Sequence, residues 1–258
     1  ASNQLLQPAG FQVYLPGRPS DLTLSHDGKL LFVKNMNSLD LINISDRTIL
    51  QSLPYPNSGA SPTGMCLSAD GHNLFVTDAT NHINIATVNN NNIMHWAKSI
   101  TLPKPAMGGV PVPCGIAFGD TEDKIYVTLS RSNSLTVVNL KDTNDVIQIP
   151  VGIAPYDVMI ASPHKAYVTN LGGRRPKEGE ITYNTSGSQV LVDSVTGIAN
   201  HGSVSVIDLD RNVEVKSIAV GLLPTGMVLS PGHDKLYVAC ANSDMIAVID
   251  TKTDEVID

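Results

Sequence analysis

The sequence predicts an all-β fold built from one repeated four-stranded unit, and three observations lead to this prediction. A short segment that begins with an aromatic residue and valine occurs five times, and a proline precedes the aromatic residue by 12 or 13 positions each time. Turn-forming residues separate the apolar segments, and no stretch shows the i, i+3, i+4, i+7 spacing of an amphipathic helix. The copies are Phe32-Val33-Lys34-Asn35, Phe75-Val76-Thr77-Asp78, Tyr126-Val127-Thr128-Leu129, Tyr167-Val168-Thr169-Asn170 and Tyr237-Val238-Ala239-Cys240, preceded by Pro19, Pro62, Pro113, Pro155 and Pro224.

The third copy shows how the unit divides into strands. Its apolar segments cover residues 113–118, 124–129, 134–139 and 146–151, and short polar turns or loops separate them. In the first two copies the first turn contains an Asp-Gly pair, which suits a tight hairpin because glycine accepts a positive φ. Four short strands repeated every ~40–45 residues are typical of propeller blades. The sequence therefore predicts a β-propeller of four-stranded blades.

The repeats indicate a single propeller domain over residues 1–258. Residues 10–17 alternate between apolar and polar side chains, so we expect an N-terminal closing strand there. We also expect the chain to be C-terminally incomplete, the first five repeats of a longer ring, because ending inside a strand leaves backbone groups unpaired. The alternative is a closed five-bladed ring in which residues 10–17 pair with the last blade. The predicted blades cover about residues 19–61, 62–112, 113–154, 155–223 and 224–258.

One repeat is much longer than the others. The spacing between successive aromatic residues is 43, 51, 41 and then 70 residues, which places an insertion at residues 171–202 of the fourth blade. The first part of this insertion, residues 172–180, is polar and rich in turn-forming residues. The insertion is too short for another blade, and loops this long inside a compact domain are usually functional or disordered.

The composition narrows the possible functions. Hydrophobic residues make up 42% of the chain and charged residues 16%, which is enough to build a sizeable core. The formal net charge of −7 argues against general nucleic-acid binding, which depends on Lys and Arg contacts to phosphate. No apolar run reaches the ~18 residues of a membrane span. The spacing of Cys66, Cys114 and Cys240 suggests neither a zinc site nor a disulfide framework, so we expect buried free thiols.

The repeat resembles a known family. The aromatic-Val-Thr-Asn strand, the Ser-x-Asp-Gly turn before it and the Val-Ile-Asp strand after it look like the WD40-like repeat of the YVTN family of β-propellers, a repeat of surface-layer proteins. Departures from the pattern include Lys34, Leu129 and Asp78. The stretches Asn170-Leu171-Gly172-Gly173-Arg174-Arg175-Pro176 and Thr196-Gly197-Ile198-Ala199 resemble one subgroup. That subgroup is the N-terminal propeller of secreted bacterial proteins that continue into a phosphoesterase domain of the alkaline-phosphatase superfamily.

The resemblance implies a seven-bladed ring and an exported bacterial protein that is periplasmic, secreted or on the cell surface. The start at Ala1 rather than at a methionine agrees with a removed signal peptide. The catalytic residues of the phosphoesterase domain would follow Asp258, so none can be assigned in this chain. The implied partner is therefore a downstream catalytic domain or an extracellular ligand.

Candidate binding residues lie on one face of the predicted propeller. The loops between second and third strands and the connections between blades share a face, which is the usual ligand face of a propeller. In the insertion, Arg174, Arg175 and Lys177 could recognise a carboxylate or phosphate, or contact a following domain. The alternative is a solvated loop whose charges offset Glu178 and Glu180. Further candidates for ligand or domain contact are Asn170, His201 and Arg131.

A metal site is the third possibility. A lactonase-like hydrolase would need carboxylates and asparagines that converge on a divalent metal near the propeller axis. Residues that could converge there are Asp78, Asn133, Asn170 and Asn242. No other cofactor is indicated, because the chain contains no Gly-rich phosphate loop, no G-x-S-x-G and no H-E-x-x-H motif.

These observations give three functional hypotheses. The first is a non-catalytic binding or scaffolding propeller in an exported phosphoesterase, whose hydrolase activity belongs to the downstream domain. The second is a freestanding surface or periplasmic propeller that binds other proteins. The third is the metal-dependent propeller hydrolase with a site in the central pocket.

Overall fold

A computed structural model describes residues 9–258, and every regular element in this range is a β-strand. No helix in the described part of the chain is long and apolar enough to cross a membrane. The strands are β1 Asp21–Leu24, β2 Leu30–Lys34, β3 Ser38–Asn43, β4 Ile49–Pro54, β5 Ala60–Leu67, β6 Asn73–Asp78, β7 His82–Val88, β8 Met94–Thr101, β9 Pro113–Phe118, β10 Lys124–Leu129, β11 Ser134–Asn139, β12 Val146–Pro150, β13 Pro155–Ser162, β14 Lys165–Asn170, β15 Thr182–Thr185, β16 Ser188–Leu191, β17 Gly202–Asp208, β18 Val213–Val220, β19 Pro224–Leu229, β20 Lys235–Cys240, β21 Met245–Asp250 and β22 Glu255–Val256.

The strands form five four-stranded antiparallel sheets and one two-stranded sheet. In four of the large sheets the strands follow sequence order, and the remaining one has the order β13-β14-β17-β18 around the β15-β16 hairpin. Each large sheet is one blade, and contacts between first strands run in chain order from β1 through β5, β9 and β13 to β19. The predicted all-β propeller of four-stranded blades is confirmed.

The aromatic-Val pair of the repeated segment forms the core between neighbouring blades. Successive residues of a strand point to opposite faces of its sheet. The aromatic side chain therefore faces the next blade, and the valine faces the preceding one. Each buried cluster accordingly combines the aromatic residue of one blade with the valine of the next: Phe32 with Val76, Phe75 with Val127, Tyr126 with Val168 and Tyr167 with Val238.

The third residue of the repeated segment links neighbouring blades by hydrogen bonds. Thr77 Oγ1 donates to Cys114 O at 3.1 Å, Thr128 Oγ1 to Tyr156 O at 3.1 Å and Thr169 Oγ1 to Thr225 O at 2.8 Å. Each acceptor lies just after the proline that begins the first strand of the next blade, where the strand register shifts. A β-bulge leaves backbone groups unpaired in its own sheet, so these carbonyls are free to accept. We call this contact the bulge hydrogen bond.

The first blade makes the same link with a lysine. Lys34 Nζ donates to Thr63 O at 2.6 Å and to Gly64 O at 3.2 Å, both in the irregular part of β5 between Ala60 and Met65. It also donates to Ser61 Oγ at 2.8 Å and to Thr77 Oγ1 at 3.0 Å. The side chain is completely buried. Lys34 therefore links neighbouring blades by hydrogen bonds, as the threonines do in three other copies.

Residues 10–17, where we expect a closing strand, are assigned no strand in this structure. Side chains rather than a strand ladder hold the segment against the first blade: Asn35 Nδ2 donates to Pro16 O at 2.7 Å, and the Arg47 guanidinium lies 3.3 Å from the Phe11 ring centroid. A strand persists only where a neighbouring strand pairs its backbone groups. The alternation of apolar and polar residues is therefore not sufficient to form a strand at residues 10–17.

The last blade has an exposed apolar face. Val228 and Ile246 on this face are 58% and 62% exposed, and Ala239, at the position of the bulge-bonding threonines, is also exposed. In the other four blades the corresponding face is covered by the next blade. Within residues 9–258 no further sheet packs on the fifth one.

We predict that replacing Thr128 with valine lowers the free energy of unfolding by about 1–2 kcal/mol, because the Tyr156 carbonyl loses its interblade donor. Thr136, on the neighbouring strand of the same blade, is a matched control, because its hydroxyl is fully buried without a hydrogen-bond partner in the described structure. Thr136→Val should stay within about 0.5 kcal/mol of the wild type or stabilise it. Urea unfolding measures both, and equal losses would contradict a special role for Thr128.

Candidate functional site

The insertion of the fourth blade folds onto the face predicted to bind ligands. We call this face, formed by the loops between second and third strands and by the connections between blades, the mouth face. The insertion contains the hairpin β15-β16, whose turn residues Ser186 and Gly187 have φ values of 51° and 86°. Positive φ at both positions is the geometry of a type I′ turn, the favoured two-residue hairpin connection. The loop expected at residues 171–202 is therefore partly a β-hairpin.

Arg175 fastens the insertion to the third blade. Its Nε donates to Val151 O at 2.6 Å, and its Nη2 donates to Asn133 O at 2.6 Å. The Asn133 side chain extends this contact, since its Nδ2 donates to Ser188 Oγ of the hairpin at 2.8 Å and its Oδ1 accepts from Ala154 N at 2.9 Å. Arg175 and Asn133 thus act together to hold the insertion rather than as free ligand contacts.

The Gly172-Gly173 pair allows the chain to turn sharply as it passes from β14 into the insertion. Gly172 N donates to Ile153 O at 3.0 Å, and Ile153 N donates to Gly173 O at 2.7 Å. Gly173 has a φ of 76°, and a Cβ there would lie 2.7 Å from the Cβ of His201. A larger residue would therefore clash where the insertion begins and ends. His201, one of the predicted site residues, packs at this neck, where its Nδ1 contacts Asn200 Oδ1.

The other two cationic residues of the insertion have different roles. Arg174 forms a bidentate ion pair with Glu180, at 2.5 Å from Nη2 to Oε1 and 2.9 Å from Nη1 to Oε2. Hydrogen bonding to Arg174 lowers the pKa of Glu180 to about 2. Glu180 Oε2 also accepts from Lys177 N, while the Lys177 residue is exposed. Arg174 is therefore neutralised within the insertion, as the solvated-loop alternative anticipated for this residue.

Arg131 lines a cavity between the insertion and the blade loops. The cavity has a volume of about 470 Å³ and lies on the mouth face. Its lining comes from the connections into the third, fourth and fifth blades, from the loop after β10 and from the insertion, and it includes Val112, Ser130, Arg131, Ile153, Ala154, Leu171, Gly172, Thr185, Ser186, Ser188, Val190, Ala199 and Leu223. The residues at this site are mainly apolar, with one guanidinium among them.

Three of the four candidate metal ligands already form side-chain hydrogen bonds within the protein, and the fourth is exposed. Asp78 is fully buried, accepts from His82 N, Thr80 N and Thr80 Oγ1, and pairs with His82 Nδ1 at 2.9 Å. Asn170 Nδ2 donates to Ser203 Oγ at 3.1 Å and to Ser205 Oγ at 2.9 Å within its own blade. Asn133 binds the insertion, and Asn242 lies exposed in the turn after β20. Within residues 9–258 no three His, Cys, Asp or Glu side chains are grouped as metal ligands.

A second cavity, of about 410 Å³, lies where first strands of different blades approach one another. Ser20, Ser61, Pro62 and Tyr156 are among its lining residues. Lys34 lies directly behind Ser61, and burial lowers the pKa of its amine to about 7. In the sequence, the one unusual feature of Lys34 is that three other copies have threonine at the same position. Because both Lys34 and Ser61 are almost completely inaccessible, their geometry fits a structural link between blades.

The comparisons with known proteins agree on the fold. No protein-family model matches the chain. Antigen Lp49 of Leptospira interrogans serogroup Icterohaemorrhagiae serovar copenhageni is 26% identical over 215 residues, which cover 81% of this chain and 42% of that protein. The chain therefore matches less than half the length of this relative.

Solved structures with different activities share the architecture. A putative 6-phosphogluconolactonase from Bacteroides fragilis is 16% identical, with a TM-score of 0.66 over 93% of this chain and 68% of that one. The Cps50 (Swd1) β-propeller domain of Myceliophteria thermophila is 8% identical, with a TM-score of 0.64 over 92% and 66% of the two chains. Virginiamycin B lyase from Staphylococcus aureus is 17% identical, with a TM-score of 0.53 over 91% and 81%. At these identities the likeness shows the propeller fold alone.

We predict that Arg175→Met loosens the insertion. Hydrogen bonds from a charged donor contribute about 1.5–3 kcal/mol each, so losing them should raise the population of the detached insertion by about tenfold or more. Hydrogen–deuterium exchange should then become faster at Ile153 N, which donates to Gly173 O. Lys177→Met removes a charge from an exposed position of the same segment and is the matched control. Unchanged exchange in Arg175→Met would contradict the fastening role.

We predict that Lys34 makes stability depend on pH. Its pKa is about 7 in the folded protein, against 10.5 ordinarily, so the unfolded chain binds more protons between these values. The free energy of unfolding should therefore rise as pH increases above about 7, by up to about 1.4 kcal/mol per pH unit. Lys34→Met keeps the unbranched stem and removes the titrating amine.

The measurement compares urea unfolding of the wild type and Lys34→Met at several pH values between 6 and 9. The stability difference between the two proteins isolates the lysine, since the other titrating groups are common to both. We expect this difference to shift in favour of the wild type as pH rises. A difference that stays constant over the range would contradict the lowered pKa.

Proposed function

We propose that this chain is a non-catalytic binding propeller that acts through its mouth face. The observation that supports this most directly is the insertion of the fourth blade, which is docked on the mouth face and encloses a cavity with the neighbouring loops. Among the described residues, none of the insertion takes part in the bulge hydrogen bonds or the interblade clusters. An ordered segment that the ring itself does not need is typical of a functional loop.

The proposal extends to the protein of which this propeller would be part. We infer an exported protein in which a seven-bladed ring precedes a phosphoesterase domain of the alkaline-phosphatase superfamily. Two features support this inference: the resemblance of residues 170–176 and 196–199 to that subgroup, and the greater length of the antigen relative. The propeller would hold or shield the catalytic domain, or bind an extracellular ligand, through the mouth face.

The alternative is a freestanding surface or periplasmic propeller that binds other proteins. The two possibilities differ in what the gene encodes after Asp258. Sequencing through this region decides between them. A reading frame that continues through two more repeats into a phosphoesterase domain supports the fused protein, and a stop codon within two repeats contradicts it.

Activity measurements test whether catalysis belongs to the propeller or to the proposed phosphoesterase domain. We predict that residues 1–258 alone do not hydrolyse bis(p-nitrophenyl) phosphate with divalent metal supplied, because the catalytic groups belong to the later domain. The full-length product should hydrolyse it. Deleting residues 176–199 from the full-length product should leave this hydrolysis measurable, because the insertion supplies no catalytic group. Hydrolysis by residues 1–258 would contradict a non-catalytic propeller.

A further inference from the structure

The cavity beside the insertion has the size of a small-molecule site. Its volume of about 470 Å³ lies within the ~300–1,000 Å³ typical of ligand pockets. Its apolar lining includes Ile153, Leu171 and Val190 of the hairpin strand β16. Met107, from the long connection before the third blade, approaches the hairpin turn, because a Cβ on Gly187 would lie 2.5 Å from the Met107 sulfur. Ligand would therefore enter an apolar space held by two ordered segments.

Arg131 is the cationic group of this cavity. Its Nε is buried and has no hydrogen-bond partner, and no carboxylate in residues 9–258 lies within 4.0 Å of its guanidinium. The other arginines of the region differ in this respect, since Arg174 pairs with Glu180 and Arg175 donates to backbone carbonyls. Gly109 lets the connection before the third blade pass close by, because a Cβ there would lie 2.9 Å from Arg131 Nη1. The charge is thus kept near the cavity without an internal counter-ion.

We propose that this cavity binds a small organic monoanion with an apolar body, whose anionic group pairs with Arg131. A partly buried guanidinium can donate two hydrogen bonds to the oxygens of one anionic group, and the apolar lining favours a hydrocarbon or aromatic body. The formal net charge of −7 opposes polyanions at long range, so a single charge suits the site better than several. This inference rests on the proposed role of the mouth face as the binding surface and names the class of ligand that it takes.

Two fluorescent probes that differ by one anionic group test the inference. The first is 8-anilinonaphthalene-1-sulfonate, and the second is N-phenyl-1-naphthylamine, which has the same aromatic body without the sulfonate. We expect the wild type to bind the sulfonate more tightly. Arg131→Met should weaken sulfonate binding by about tenfold or more, the value of one charged hydrogen bond, and leave binding of the neutral probe within about twofold.

Two further variants separate this cavity from other apolar surfaces. Ala199→Trp places a large side chain at an exposed position of the lining and should reduce binding of both probes at this site. Arg211→Met removes an exposed arginine beside Asp208, on the face opposite the mouth, and should change neither. Circular dichroism melting establishes that each variant is folded.

Each outcome bears on the inference. Selective loss of sulfonate binding in Arg131→Met, with loss of both probes in Ala199→Trp, supports it. Sulfonate binding that is unchanged in both variants overturns the site, and equal weakening of the two probes in Arg131→Met overturns the role of charge. These results do not depend on whether a phosphoesterase domain follows, so failure here and failure of the proposed function are distinguishable.

Discussion

The bulge hydrogen bond is the constraint on which the arrangement of the blades depends. Apolar contact between an aromatic residue and a valine brings neighbouring sheets together, but such contact is not directional. The threonine two residues after the aromatic residue points the same way and reaches a bulge carbonyl of the next blade, as Thr169 does with Thr225 at 2.8 Å. A buried carbonyl without a donor is costly. The bond therefore fixes the relative position of adjacent blades near the axis.

A complementary bond joins the first strands of neighbouring blades at two of the interfaces. Asp21 Oδ2 accepts from Gly64 N at 2.8 Å, and Asp157 Oδ2 accepts from Met227 N at 3.0 Å. In both pairs an aspartate on the first strand of one blade satisfies a bulge N–H of the next blade. Burial raises the pKa of Asp157 to about 6. The bulge thus uses both its carbonyl and its amide to join blades, and the first interface combines a carboxylate, Asp21, with a buried amine, Lys34.

The repeats allowed most of the fold to be predicted, because each repeated residue meets the same surroundings in every blade. Strands β9 to β11 match the predicted segments, and the β15-β16 hairpin lies within residues 171–202. Residues 10–17 alternate without forming a strand in this structure, because alternation reports amphipathicity and not the presence of a partner strand. The fastening role of Arg175 could not be predicted, since its acceptors are the backbone carbonyls of Val151 and Asn133, which have no sequence signature. Arg131 was identified as a candidate only from its loop position.

The contacts that join the blades are separate from the mouth face. This separation explains how one architecture can support proteins as different as a putative 6-phosphogluconolactonase and a lyase. Interblade cores and bulge hydrogen bonds are formed mainly by residues of the strands, whereas the mouth face is built from the loops that connect them. The insertion enters after Asn170 and returns at Gly202, which are next to each other at the end of paired strands. A segment added there extends from the ring without disturbing the register of β14 and β17. Changes in function can therefore accumulate on the mouth face while the constraint between blades stays intact.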